Sequence, residues 1–167
     1  MSKSGIRGHL FVIDGDLNRI HCDAVLVPSS ILLDFENGNW VRRIPDPEVV
    51  RKEARRPDSG WPSSKVIEIP TTEGPRIWVG NVGLDRAEAE PYVDVAETFV
   101  RTAHRELIGR TPIPRLALNV VGTGDGGMRG DKGQLVTALV ERLLDLADEL
   151  PVDIVLVTWG QIGRAHV

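Results

Sequence analysis

Four short runs in this sequence carry apolar residues at successive positions rather than alternate ones. They are HLFVI ending at Ile13, DAVLVP from Asp23, the run from Arg115 to Val121, and the run from Val152 to Trp159. A strand that is apolar on both faces must be covered on both sides, so helices are expected above and below the sheet. Tyr92, Ala96, Phe99, Ala103 and Leu107 recur at helical spacing with Gly109 as a stop. Leu135, Leu139, Leu143 and Leu146 mark a second amphipathic helix. Lys65 to Ile69 and Arg76 to Val79 read as two further strands, joined through a turn from Thr71 to Pro75. The order strand–helix–strand–helix–strand in the second half predicts right-handed crossovers and a mostly parallel sheet. The fold class is α/β, in three layers.

Composition narrows the function. A chain of 167 residues fits one domain with a sizeable core. The net charge of −4 creates no global field that favours nucleic acid. Arg42, Arg43, Arg51, Lys52, Arg55 and Arg56 cluster, but Asp46, Glu48 and Glu53 interrupt them, which reads as a solvated helix face. Between Ser29 and Pro62 the pattern is broken by four prolines, with room for one short helix around Pro47 to Arg56. Cys22 is the only cysteine, which excludes an internal disulfide and a cysteine-based metal cluster and suits a small core residue. No apolar run approaches the ~18 residues of a membrane helix, and no signal-peptide pattern opens the chain, so a cytoplasmic location is expected.

The stretch VVGTGDGGMRGDKG, Val120 to Gly133, follows the third apolar run and leads towards a helix. In an open α/β sheet the ligand crevice lies outside the carboxyl ends of the strands, which is where this loop begins. Pro28-Ser29-Ser30 leaves DAVLV at the same rim. Gly122, Gly124 and Gly127 match G-x-G-x-x-G in letters, but the next strand ends in Val157-Thr158-Trp159-Gly160, without the acid that a dinucleotide site needs. Lys132 precedes Gly133 rather than Ser or Thr, which rules out a P-loop. A loop presenting backbone donors and a purely structural turn both remain open. His9, His21 and His104 have no metal-ligand spacing, and Asp14 with Asp16 reads as a solvated turn pair. Trp78 and Trp159 fall in strands as core residues. Trp40 and Trp61 lie in the irregular region, where they either pin the loop or stack on a base.

Asp14-Gly15-Asp16-Leu17, followed by Cys22-Asp23-Ala24-Val25-Leu26-Val27-Pro28, resembles the start of the macro domain, where G-D-I-T leads into D-A-I-V-N-A-A-N. Gly122-Thr123-Gly124-Asp125-Gly126-Gly127 resembles the second phosphate loop of that family. The likeness is greater to the divergent macro-like domain found ahead of sirtuin-like domains in bacterial proteins, with its G-D-L start, G-T-G-x-G-G loop and final strand ending in T-W-G. The resemblance implies a three-layer α/β/α domain with a mostly parallel mixed sheet. It places Asp16 as acceptor for an adenine amino group and the glycine loop around a diphosphate and distal ribose. The implied ligand-binding set is Asp16, Leu17, Ser29, Ser30, Gly122, Thr123, Gly124, Asp125, Gly126 and Gly127. It includes no catalytic residue and no metal ligand.

The departures are specific. Val27 and Ser30 stand where the family has the two asparagines of N-A-A-N, and the G-G-G-V segment of the first phosphate loop is missing. Hydrolysis of ADP-ribosyl linkages is therefore not expected, and a pocket altered for another nucleotide, or for none, fits as well. The expected function is binding or sensing of ADP-ribose, NAD or a related nucleotide for an attached sirtuin-like, NAD-consuming domain. The alternatives are a non-binding scaffold that packs on that effector and, third, an ADP-ribose hydrolase with a rearranged site. Ile162-Gly163-Arg164-Ala165-His166-Val167 matches one reading frame of a common sequencing adapter. Residues 1–161 are accordingly expected to be one domain of a longer protein, and 162–167 a non-native tail.

Overall fold

The apolar runs become strands of one mixed sheet of six. In chain order β1 is His9–Asp14, β2 Ala24–Ser29, β3 Val66–Ile69, β4 Arg76–Asn81, β5 Arg115–Asn119 and β6 Asp153–Thr158. Among the described residues the helices are α1, Glu90–Leu107, and α2, Lys132–Glu149, with one 3-10 turn at Leu17–Arg19. The computed structural model describes residues 5–29, 65–69, 71, 73–81, 90–120 and 132–158. The region of the expected short helix at 47–56, Trp40, Trp61, Trp159 and the segment 162–167 lie outside the described residues.

The strand order is β1-β6-β5-β2-β4-β3. Every neighbouring pair is parallel except β3 with β4, which form the expected antiparallel pair. Gly74, at φ +76°, lies in the link between them, a conformation that only glycine adopts without strain. The connections β4–α1–β5 and β5–α2–β6 step in the same direction across the sheet. Crossovers of one hand then put both helices on one face. Phe99, Leu139 and Leu143 pack there with Leu26, Trp78, Leu116, Leu118, Ile154 and Leu156, all at most 1% exposed. A second cluster of Val25, Val27, Ile77, Val79, Ala117 and Val155 lies on the opposite face, joined by Leu17 and Cys22. It too is buried, so the sheet is the middle layer of three.

One strand differs from the sequence reading. HLFVI was expected to be covered on both sides, yet β1 is an edge strand with Phe11 46% and Val12 51% exposed. Its apolar residues match those of the central strands, but among the described strands only β6 flanks it. Gly109 also differs: α1 ends at Leu107 through N–H bonds from Arg110 and Thr111 to the Leu107 carbonyl, and Gly109 has no positive φ.

α1 sits close to β4. The rings of Trp78 and Phe99 meet edge-on at 6.0 Å. A Cβ at Gly80 would come within 2.4 Å of Val95 Cγ1, so glycine here sets the distance between helix and sheet. Arg101 holds Glu149 through two bonds of 2.8 and 3.0 Å and Glu97 at 3.1 Å, while Arg142 also bonds Glu97, tying α1 to α2. Burial pushes the Glu97 carboxyl up, but the hydrogen bonds from Arg101 and Arg142 outweigh it and hold the group below the usual range.

Two outcomes follow from this packing. Gly80→Ala should destabilise the domain by about 1–3 kcal/mol in urea unfolding, as overpacking does. Val95→Ala in the same chain should recover part of that loss, and strictly additive costs would contradict the close approach. His104, half-buried on α1 with Nε2 lacking a partner among the described residues, has its pKa lowered by burial. The unfolded chain therefore binds its proton more readily, and stability should fall as pH drops below about 6.5. His104→Gln should flatten that part of the pH–stability curve; an unchanged slope would show that His104 does not contribute.

Candidate functional site at the carboxyl rim

The centre of the sheet opens at one end. β2 stays in register with β4 from Ala24↔Arg76 to Ser29↔Asn81, and β5 with β6 from Arg115↔Asp153 to Asn119↔Val157. β2 and β5, by contrast, pair only at Ala24↔Leu116 and Val25↔Ala117. Beyond that point the two central strands part towards their carboxyl ends. The chain leaves them in opposite senses, from β5 to β6 on one side and from β2 to β3 on the other. A reversal of this kind is where open α/β sheets form their ligand crevice.

Polar groups gather at the same end. Asn81, Asn119 and Thr158 are the buried polar residues among those described, and they terminate β4, β5 and β6. The Thr158 hydroxyl donates to the Ile13 carbonyl at 3.2 Å, and the Gly15 N–H to the Thr158 carbonyl at 3.0 Å, which ties the turn after β1 to the end of β6. Val120 N–H donates to Val157 on β6, so strand alternation points the Asn119 carbonyl the other way, towards the gap. The buried Tyr92 hydroxyl, carried by the first turn of α1, donates to that carbonyl. It supplies the bond that the ladder to β2 no longer provides. Asn119 Oδ1, in contrast, is buried without a partner among the described residues. An unsatisfied buried acceptor costs about 1–3 kcal/mol.

Of the sequence-derived set, Asp16 and Ser29 are placed at this rim. Asp16 follows β1 and caps the 3-10 turn, accepting the Asn18 N–H at 2.9 Å on Oδ1. This is the backbone-turning role common for aspartate. Ser29 ends β2. Leu17 is 3% exposed and belongs to the second apolar cluster, so it supports the turn from beneath. Ser30, Gly122, Thr123, Gly124, Asp125, Gly126 and Gly127 lie outside the described residues. The chain enters that glycine segment from the end of β5. Asn81, Tyr92 and Asn119 were not singled out for the site. A polar residue inside an apolar run, three places before the first glycine of a glycine-rich stretch, was the available signal for Asn119.

The other rim differs. A recess of about 450 Å³ opens among Ile20, His21, Cys22, Asp23, Gly74, Pro75, Leu107, Arg110 and Thr111, at the amino ends of β2 and β4. The Asp23 carboxylate there is already used by the Arg115 backbone N–H at 2.8 Å. Among the described residues no cluster of His, Cys, Asp and Glu has metal-site geometry, and no helix is long and apolar enough to cross a membrane.

No family model matches the sequence, and no curated protein matches it. Solved structures do. The Oceanobacillus iheyensis macrodomain, in a mutant form with ADPR, superposes with a TM-score of 0.76 at 9% identity, covering 99% of this chain and 92% of that one. The macrodomain of Mycobacterium tuberculosis DarG gives 0.63 at 22% identity, over 90% of this chain and 97% of that one. The Trypanosoma brucei macrodomain in complex with ADP-ribose gives 0.69 at 13% identity, over 95% and 66% respectively. This is the macrodomain fold. At such identities the likeness is one of architecture, and it carries the three layers and the mixed sheet.

Within this macrodomain fold, Tyr92 is what allows β5 to part from β2 without exposing or orphaning its last carbonyl. Tyr92→Phe removes the donor and leaves that acceptor buried, so it should cost about 1–3 kcal/mol in chemical denaturation. A variant as stable as the parent would show that the gap is satisfied by other means.

Proposed function

We propose that the carboxyl rim binds ADP-ribose or a closely related NAD-derived nucleotide. The parting of β2 and β5 carries this reading, because it opens the sheet where polar groups converge, in a fold whose solved examples include complexes with ADP-ribose. Asp16 serves as acceptor for the base amino group. A carboxylate offers about four acceptor sites, so capping Asn18 and contacting a base are compatible. The backbone N–H groups of Gly122 to Gly127 receive the diphosphate, with Ser29, the last residue of β2, and Ser30 as further contacts. In the wider protein the domain acts as the sensing module for a sirtuin-like, NAD-consuming partner domain in the same chain. The scaffold alternative has one observation in its favour, the exposed Phe11 and Val12 on edge strand β1.

Calorimetric titration with ADP-ribose tests the binding claim. The parent should bind saturably, and Asp16→Ala should weaken binding by about 1.5–3 kcal/mol, the worth of a hydrogen bond to a charged group. Asp16→Asn keeps a capping oxygen, so the turn survives and any loss of affinity reports on the ligand. Gly124→Val should abolish binding without unfolding the sheet. Equal affinities throughout would leave the scaffold reading.

A further inference from the structure

The unused acceptor at the end of β5 points to a specific ligand contact. This inference rests on the nucleotide-binding reading and deepens it. Asn119 is 8% exposed, and its Oδ1 has no partner among the described residues although its own backbone carbonyl is held by Tyr92. Neighbouring residues fix its direction. Leu118 and Val120 belong to the cluster under α1 and α2, and Ala117 to the opposite one. Alternation therefore sends the Asn119 side chain to the face away from the helices, beside the edge from which β2 has parted. Leucine has the same branched heavy-atom skeleton and no amide to desolvate, so folding alone gives asparagine no advantage.

The chemistry of the missing partner is limited. Oδ1 needs a donor, and a diphosphate ionised at neutral pH offers only acceptors. The base amino group is assigned to Asp16, at the end of β1. β5 lies two places along the sheet from β1, about 10 Å away at the usual strand spacing. On ADP-ribose the remaining donors are sugar hydroxyls. We propose that Asn119 Oδ1 accepts a hydrogen bond from a ribose hydroxyl of the bound nucleotide and so selects for a ribosylated ligand.

The test titrates ADP-ribose and ADP into the parent and Asn119→Leu, with melting temperatures measured alongside. The leucine variant should melt no lower than the parent, because it removes an unsatisfied buried acceptor. It should bind ADP-ribose at least about tenfold more weakly, as expected for one lost hydrogen bond. Loss confined to ADP-ribose places the hydroxyl on the distal ribose, and equal loss for ADP places it on the adenosine. Should the leucine variant fail to fold, Asn119→Thr and Asn119→Val repeat the comparison with one oxygen as the difference; threonine should bind about tenfold more tightly. Affinity for ADP-ribose unchanged in Asn119→Leu, or equal in the threonine and valine variants, would overturn the contact while leaving the proposed function standing. A parent that binds neither nucleotide would overturn the proposed function, and this contact with it.

Discussion

The domain depends on two adjacent strands that share a beginning and not an end. β2 and β5 are paired at Ala24 and Val25, both fully buried, and part before Asn119. Parallel strands normally keep a ladder along their common length, so a break exposes donors and acceptors that must be satisfied elsewhere. Tyr92 supplies one such bond from α1. The gap at the carboxyl rim follows, at the place where the chain reverses its direction across the sheet.

Stability and function occupy different ends of the same strands. At and below the middle of the sheet, Val25, Leu26, Val79, Leu116 and Ala117 are completely buried and wholly apolar. At the rim the strands finish in Asn81, Asn119 and Thr158, which give up apolar burial for polar groups. Asn119 is the clearest instance, because its side-chain oxygen is a cost to folding that nothing in the described structure offsets. Costs of this kind are typical where a site must be kept ready for a partner.

Much of the fold was legible in the sequence. Successive apolar positions identified the strands, and the spacing of Tyr92, Phe99 and Leu107 or of Leu135, Leu139 and Leu143 identified the helices, because both periodicities report burial directly. The edge position of β1 was not legible. HLFVI has the composition of a central strand, and its neighbour is set by how the final strand returns to the sheet. At the rim, Asp16 and Ser29 were read from strand ends and from motif resemblance. Tyr92 was read as a core residue of α1, which is correct for its ring, while its hydroxyl acts on a carbonyl 27 residues away. Asn119 was hidden for another reason: a single asparagine inside the apolar run LALNVV passes for one more strand position until the burial of its oxygen is known.

The central claim is that the nucleotide site lies where β2 and β5 part. Mapping backbone amide shifts by NMR during titration with ADP-ribose tests it most directly. The account predicts that saturable changes gather at Asp16, Ser29, Asn119, Val120 and Thr158, while His21, Gly74 and Arg110 at the opposite rim stay unmoved. Saturable changes centred on that opposite recess, or none at the carboxyl rim, would contradict it.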